Sequence, residues 1–133
     1  MIVVDTNVIG CLYLSSEKSP LAERALQKDG QWAAPILWRS ELRNVLTLYL
    51  REKLLTLRQT QEMMSAALLL MRGREYEVSS YDVLALASES RCSAYDCEFV
   101  AVAKELAVPF VTADRQLLRS FPSVAVSLDA FVE

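Results

Sequence analysis

The sequence predicts an α/β fold, a single domain over residues 1–133 in which a central, mostly parallel β-sheet is flanked by helices as an α/β/α sandwich. Three observations lead there. Short apolar runs (Ile2-Val3-Val4, Phe110-Val111-Thr112, Val124-Ala125-Val126) alternate with longer stretches whose apolar residues recur at helical spacing. The Ile2–Val4 run is apolar at every position, as a strand covered by helices on both faces must be. With 53% apolar and 23% charged residues over 133 positions, the chain has surface for one sizeable core and too little length for two.

The elements follow in order. Ile2–Val4 reads as a buried strand that ends at Asp5-Thr6-Asn7, and a short apolar helix is expected from about Val8 to Leu14. Ser19-Pro20 is a helix start, with Ser at the N-cap and Pro at the first helical position; that helix runs to about Lys28 and stops at Gly30. Trp32-Ala33-Ala34 reads as a short strand ended by Pro35. Leu42, Val45, Leu46 and Tyr49 recur at helical spacing, which predicts a helix over Leu37–Lys53. Another is expected over Arg58–Met71, stopped near Gly73. Tyr76–Val78 reads as a strand, Asp82–Ser90 as a helix and Tyr95–Leu106 as the next helix. Pro109 leads into the strand Phe110–Thr112, which ends at Asp114. A short helix over Arg115–Ser120 precedes the strand Val124–Val126 and a short C-terminal tail.

Composition restricts the chemistry. There is no His, which removes Ser-His-Asp and Cys-His catalysis, His-ligated zinc and imidazole acid–base steps. Any hydrolytic chemistry must rest on carboxylates, metal ions, Lys, Tyr or Cys. Lys and Arg number 14 against 17 Asp and Glu, a net charge of -3, so a nucleic-acid partner would need local basic patches or metal ions. The three Cys (Cys11, Cys92, Cys97) are odd in number and form no CxxC pair, the usage of reduced thiols in a cytoplasm. The N-terminus has no basic segment and meets Asp5 early, unlike a signal peptide. The most apolar stretch, Ala66–Met71, falls far short of the roughly 20 residues that cross a bilayer, so no membrane role is expected.

Four carboxylates stand at positions that invite chemistry. Asp5 and Asp114 each follow a strand and precede a helix, and in an open parallel sheet that edge is where ligands bind. Each also reads as an N-cap. Glu41 shares its helix face with Leu37, Val45 and Leu48, while Arg39 and Arg43 point elsewhere. It must therefore find a cation, hold a proton, or lie at the margin of the core. Asp96 has Phe99, Val100 and Ala103 on its face, and near a helix N-terminus it also reads as the second member of a Ser93-x-x-Asp96 capping box. Four such charges meeting within about 5 Å would repel by several kcal/mol at an effective dielectric near 20, and would persist only around a cation. With oxygen donors alone, that cation is a hard one, Mg²⁺ or Mn²⁺.

The ordered set resembles the PIN domain family, in particular the VapC-type toxin ribonucleases. It comprises Val3-Val4-Asp5-Thr6-Asn7, Ser40-Glu41-Leu42, Tyr95-Asp96 leading into Ala101-Val102-Ala103, and Thr112-Ala113-Asp114, and it spans nearly the whole chain. The resemblance implies a Mg²⁺- or Mn²⁺-dependent endoribonuclease that hydrolyses RNA phosphodiesters. Asp5, Glu41, Asp96 and Asp114 match the acidic metal-binding and catalytic quartet. Asn7 matches a polar residue that orients the first Asp, and Thr112 a hydroxyl lining the site. Some family members carry a further acid after the last Asp, whereas Arg115-Gln116-Leu117 follow here. The resemblance also implies a homodimer and a VapB-like antitoxin, one of whose side chains, such as an Arg, would compete with the metal or cap the acids.

For RNA, the candidate phosphate contacts are Arg39, Arg43, Arg115 and Arg119, with Trp38, Tyr13 and Tyr95 as candidate stacking residues. Met63, Met64 and the run Leu68–Met71 are candidates for an interface, or for packing between two helices. Alternatives are a PIN nuclease in RNA processing without a toxin role and a non-catalytic PIN-like binding module. A phosphatase in which Asp5 is a nucleophile wants a second Asp at the position Asn7 occupies.

Overall fold

A computed structural model describes all 133 residues. The chain runs β1 (Ile2–Val4), α1 (Thr6–Tyr13), α2 (Ser19–Lys28), β2 (Trp32–Pro35), α3 (Trp38–Arg51), α4 (Leu57–Met71), β3 (Glu75–Tyr76), α5 (Ser80–Ser88), α6 (Ala94–Leu106), β4 (Phe110–Thr112), α7 (Arg115–Ser120), β5 (Ala125–Ser127) and α8 (Leu128–Val132). The five strands form one sheet in the order β3-β2-β1-β4-β5, every pairing parallel. Helices flank it, which gives the α/β sandwich the sequence predicts.

The strand order matters for function. The chain moves outward from β1 through β2 to β3, then returns to β1's other side and moves outward again through β4 to β5. The order therefore reverses between β1 and β4, where Val3 lies beside Phe110 and Val4 beside Val111. Helices leaving neighbouring strands diverge at such a point and open a crevice at the strands' C-terminal ends. Asp5 and Asp114 stand just past those ends.

The core is built on this sheet. Ile2, Val3, Val4, Trp32, Ala33, Ala34, Phe110 and Val111 are all buried, and Phe99 of α6 stacks on Phe110 with ring centroids 5.9 Å apart. Truncating either ring to Ala would cost roughly 3–5 kcal/mol. On α3 the residues that enter the core are Trp38, Leu42 and Leu46.

Several boundaries differ from the sequence reading. Lys18, not Ser19, occupies the cap of α2, and Ser19 and Pro20 are its first two residues. The Ser19 hydroxyl instead donates to Leu14 O and accepts from Ser16 N–H, closing the preceding turn. The next helix ends at Arg51, because Lys53 takes φ 58°. Helix α4 starts at Leu57 behind a capping box: the Thr56 hydroxyl accepts from Gln59 N–H while Gln59 Oε1 accepts from Thr56 N–H. Gly73, at φ 82°, takes the left-handed turn that stops this helix. The third strand is Glu75–Tyr76 rather than Tyr76–Val78, since Ala34 and Pro35 pair with those two residues. The C-terminal tail is helical. Ser127 caps α8, and Arg24 and Lys28 of α2 donate to its last carbonyls, at Val132 and Phe131.

Candidate active site

Asp5 caps α1. Its Oδ1 accepts from Thr6 N–H at 2.8 Å, and its Oδ2 accepts from the Thr112 hydroxyl at 2.6 Å and from Asn7 Nδ2 at 3.4 Å. The carboxyl is almost wholly buried. Burial pushes its pKa up to about 7, assisted by the charges of Asp96 and Glu41 and opposed by the bonds from Thr112 and Thr6.

The Thr112 hydroxyl has two partners. While donating to Asp5 it accepts from Asp114 N–H at 3.0 Å, tying the ends of β1 and β4 together. Asn7 spans the same gap, its Oδ1 accepting from Ala113 N–H at 3.4 Å. Asp114 caps α7 through Oδ1, which accepts from Gln116 and Leu117 N–H.

Glu41 lies at the margin of the core. Its Oε1 accepts from the Thr6 hydroxyl at 2.7 Å, and burial with the nearby charges of Asp96 and Glu98 raises its pKa. Of the apolar neighbours expected on its face, Leu48 is 53% exposed. Asp96 sits in the first turn of α6, where Ser93 caps its backbone N–H. Burial and the charge of Asp114 raise its pKa, opposed by the Ser93 hydroxyl beside the carboxyl.

Electrostatically, these four carboxylates share a neighbourhood. Asp5 feels Asp96 and Glu41, Glu41 feels Asp96, and Asp96 feels Asp114. None is in a salt bridge; the chain's ion pairs are Met1–Asp29, Lys18–Asp129, Arg39–Glu75 and Arg58–Glu62. They do not close into a cage, for no three Asp, Glu or Cys side chains are gathered as a ready-made metal site. The local caps account for that spacing: the Asp114 carboxylate is turned onto α7, and that of Glu41 onto Thr6. Like charges without a cation also repel. Raised carboxylate pKa values and oxygen donors without a basic partner suit a hard divalent ion.

The arginine and aromatic candidates divide. Arg39 is held by Glu75 in a two-point fork, at 2.6 and 2.5 Å, and is not a free phosphate contact. Trp38 is buried and its indole donates to the same Glu75 at 2.7 Å, so it cannot stack on RNA. Arg43 is exposed with Nε on Arg39 O, and Arg115 and Arg119 are exposed. Tyr13 is half-buried, and Tyr95 is 63% exposed beside Asp96. In the apolar run of α4, Met71 is buried, Leu68 and Leu70 are half-buried, and Leu69 is 70% exposed.

Sequence reasoning missed Thr6, Glu75 and Glu98. The Thr6–Glu41 and Glu75–Arg39 contacts join residues 35 and 36 positions apart, for which no local signal exists. Glu98 is two residues from Asp96, and helical spacing alone points the two in different directions.

Four acids at the switch point of a five-stranded parallel sheet define a class. The chain belongs to the PIN domain family, whose profile matches residues 2–122. It is 30% identical to ribonuclease VapC3 of Pyrobaculum aerophilum over 92% of this chain and 96% of that one. Its fold is similar to the crystal structure of PAE2754 from Pyrobaculum aerophilum (TM-score 0.78, 20% identity, 98% of this chain and 92% of that one). It is also similar to FitAcB from Neisseria gonorrhoeae (TM-score 0.72, 20% identity, 96% and 98%). No helix is long and apolar enough to cross a membrane.

Proposed function

We propose that this protein is a metal-dependent endoribonuclease, that residues 1–133 act as one nuclease domain, and that it is the toxin of a VapBC-type toxin–antitoxin pair. The observation that carries the reading is the set of four carboxylates at the β1–β4 switch point, left without any basic partner. Likeness to a ribonuclease at 30% identity over nearly the full length supports it.

In this reading Asp5 and Asp96 hold the ion, with Glu41 and Asp114 binding it directly or through water. Mg²⁺ or Mn²⁺, when bound, supplies positive charge to the phosphate oxygens and the leaving group. The rest is done by the chain. Thr112, Thr6 and Asn7 fix the Asp5 carboxylate, and Thr6 also fixes Glu41. Glu41, held in place by Thr6 and bound to the ion only through water, would be the carboxylate suited to taking the proton of the attacking water.

The proposed partners are an RNA substrate, a VapB-like antitoxin and a second copy of this chain. Exposed Leu69 on α4 supports an apolar contact. The three free thiols suit a reducing cytoplasm.

The test is cleavage of labelled RNA with and without EDTA, by the wild-type protein and by Asp5→Asn. Cleavage that needs the metal and disappears in the variant is the expected result, and full activity in Asp5→Asn overturns the assignment. Growth arrest on expression, relieved by an adjacent gene product, separates a toxin from an RNA-processing enzyme.

A further inference from the structure

A cleft of about 510 Å³ lies between the turn that follows α5 and the outer side of α7. No apolar side chain lines it, unlike the usual small-molecule pocket, which is mostly apolar. Arg91 enters from the turn, and Arg119, Gln116 and Ser120 from α7. Both arginines are exposed, and neither guanidinium makes a salt bridge or a hydrogen bond within the chain. Glu89 is the one acid at the rim, so the cleft carries a net positive charge on a chain whose own charge is -3. Arg115 lies one turn before Arg119 on the same face of α7.

The walls of the cleft connect to the acidic centre. The turn holding Arg91 leads through Ser93 into Asp96, and α7 begins at Asp114. Gln116 pins the two walls together, its Nε2 donating to Arg91 O at 3.3 Å. Arg119 lies five residues beyond Asp114, about 7.5 Å along the helix axis. A stacked strand places successive phosphates about 3.4 Å apart along its axis, so the backbone positions of Asp114 and Arg119 are separated by about two such steps.

We propose that this cleft is a phosphate subsite for the RNA strand, holding the backbone one or two nucleotides from the scissile bond through Arg91 and Arg119. The inference rests on the ribonuclease reading and adds where the substrate lies. Guanidinium forks match phosphate oxygens in two-point contacts that ignore base identity. The cleft therefore sets the strand's path rather than its sequence.

The experiment is fluorescence anisotropy of a labelled single-stranded RNA in EDTA over a salt series, with KM and kcat for the same RNA in Mg²⁺. The proteins are wild type, Arg91→Ala, Arg119→Ala, the double variant, the Arg→Lys pair, and Arg51→Ala as a distant exposed control. Each Ala variant is expected to weaken binding several-fold for all sequences and to lower the salt slope by about 0.7, one phosphate contact on a single strand. KM should rise with kcat little changed, and Lys should restore part of the affinity. Wild-type affinity, slope and KM in the double variant overturn the subsite and leave the nuclease reading standing. An RNA neither bound nor cleaved by the wild-type protein overturns the nuclease reading, and the subsite with it.

Discussion

The Thr112 hydroxyl donates to Asp5 Oδ2 at 2.6 Å, joining residues 107 positions apart at the point where the strand order reverses. The same oxygen accepts from Asp114 N–H. One buried hydroxyl thus sets the distance between two of the four acids and holds down the pKa of the most buried one.

Replacing Thr112 by Val keeps the shape and removes both bonds. Asp5 Oδ2 is left with Asn7 alone at 3.4 Å, and Asp114 N–H loses its acceptor. A stability loss of about 1–3 kcal/mol is expected in urea denaturation, the cost of unpaired buried polar groups. Because Thr112 lowers the pKa of Asp5, the acidic limb of the pH–rate profile should move to higher pH. An unmoved limb in a folded, active variant would show that the hydroxyl does not tune Asp5.

The pKa of Asp5 also sets a pH dependence of folding. In the folded state it is about 7, against 3.8 for an ordinary Asp. Between those values the folded chain holds a proton that the unfolded chain has released, so the contribution of Asp5 to stability is greatest below about pH 4 and falls as pH rises towards 7. At 1.36 kcal/mol per pH unit, Asp5 contributes a fall of order 4 kcal/mol in the absence of metal. Asp5→Asn abolishes the charge and should be more stable than wild type at pH 8 in EDTA by about 1–3 kcal/mol, allowing for a weakened hydrogen bond. Equal stability of the two proteins across this range would mean that Asp5 is not desolvated.

Metal should reverse that penalty. Ions that bind only the folded protein stabilise it by RT ln(1 + [L]/Kd), about 2.7 kcal/mol when the free ion is 100-fold above Kd. For a chain of this length that is a rise in Tm of about 10 °C. Millimolar Mg²⁺ or Mn²⁺ at pH 8 should raise the Tm of the wild type and leave those of Asp5→Asn and Asp96→Asn unchanged. A flat Tm for the wild type with both ions would remove the metal from the reading.

Asp5 and Asp114 were legible because a strand end and a helix cap are both local signals, and each residue does cap its helix. Glu41 was legible as a carboxylate on a partly apolar helix, but its face was drawn too far round. Trp38, Leu42 and Leu46 go inward while Leu48 stays out, because α3 packs against α1 and α4. The last helix could not be read at all. Five residues rarely hold a helix by propensity, and α8 depends on Arg24 and Lys28, more than 100 positions away. The free cations were no easier. Arg39 and Arg119 look alike in sequence, and only the packing of β3 beside α3 shows that the first is already taken by Glu75.

Glu75 anchors α3. Its Oε2 accepts from Trp38 Nε1 and Arg39 Nε, and its Oε1 from Arg39 NH2, so one carboxylate fixes the first turn of the helix that carries Glu41. The Arg39 guanidinium beside it holds the Glu75 carboxyl below the usual range. Glu75→Ala would leave the buried indole N–H unpaired and release Arg39, for an expected loss of about 1–3 kcal/mol. Glu75→Gln keeps an acceptor for the indole and should recover about half of that, with the charged component still lost. Because α3 also carries Glu41, cleavage should fall with stability in Glu75→Ala while RNA binding in EDTA is held. Comparing urea midpoints and kcat for the two variants decides it: a Glu75→Ala protein with wild-type stability would show that the fork contributes nothing to placing α3.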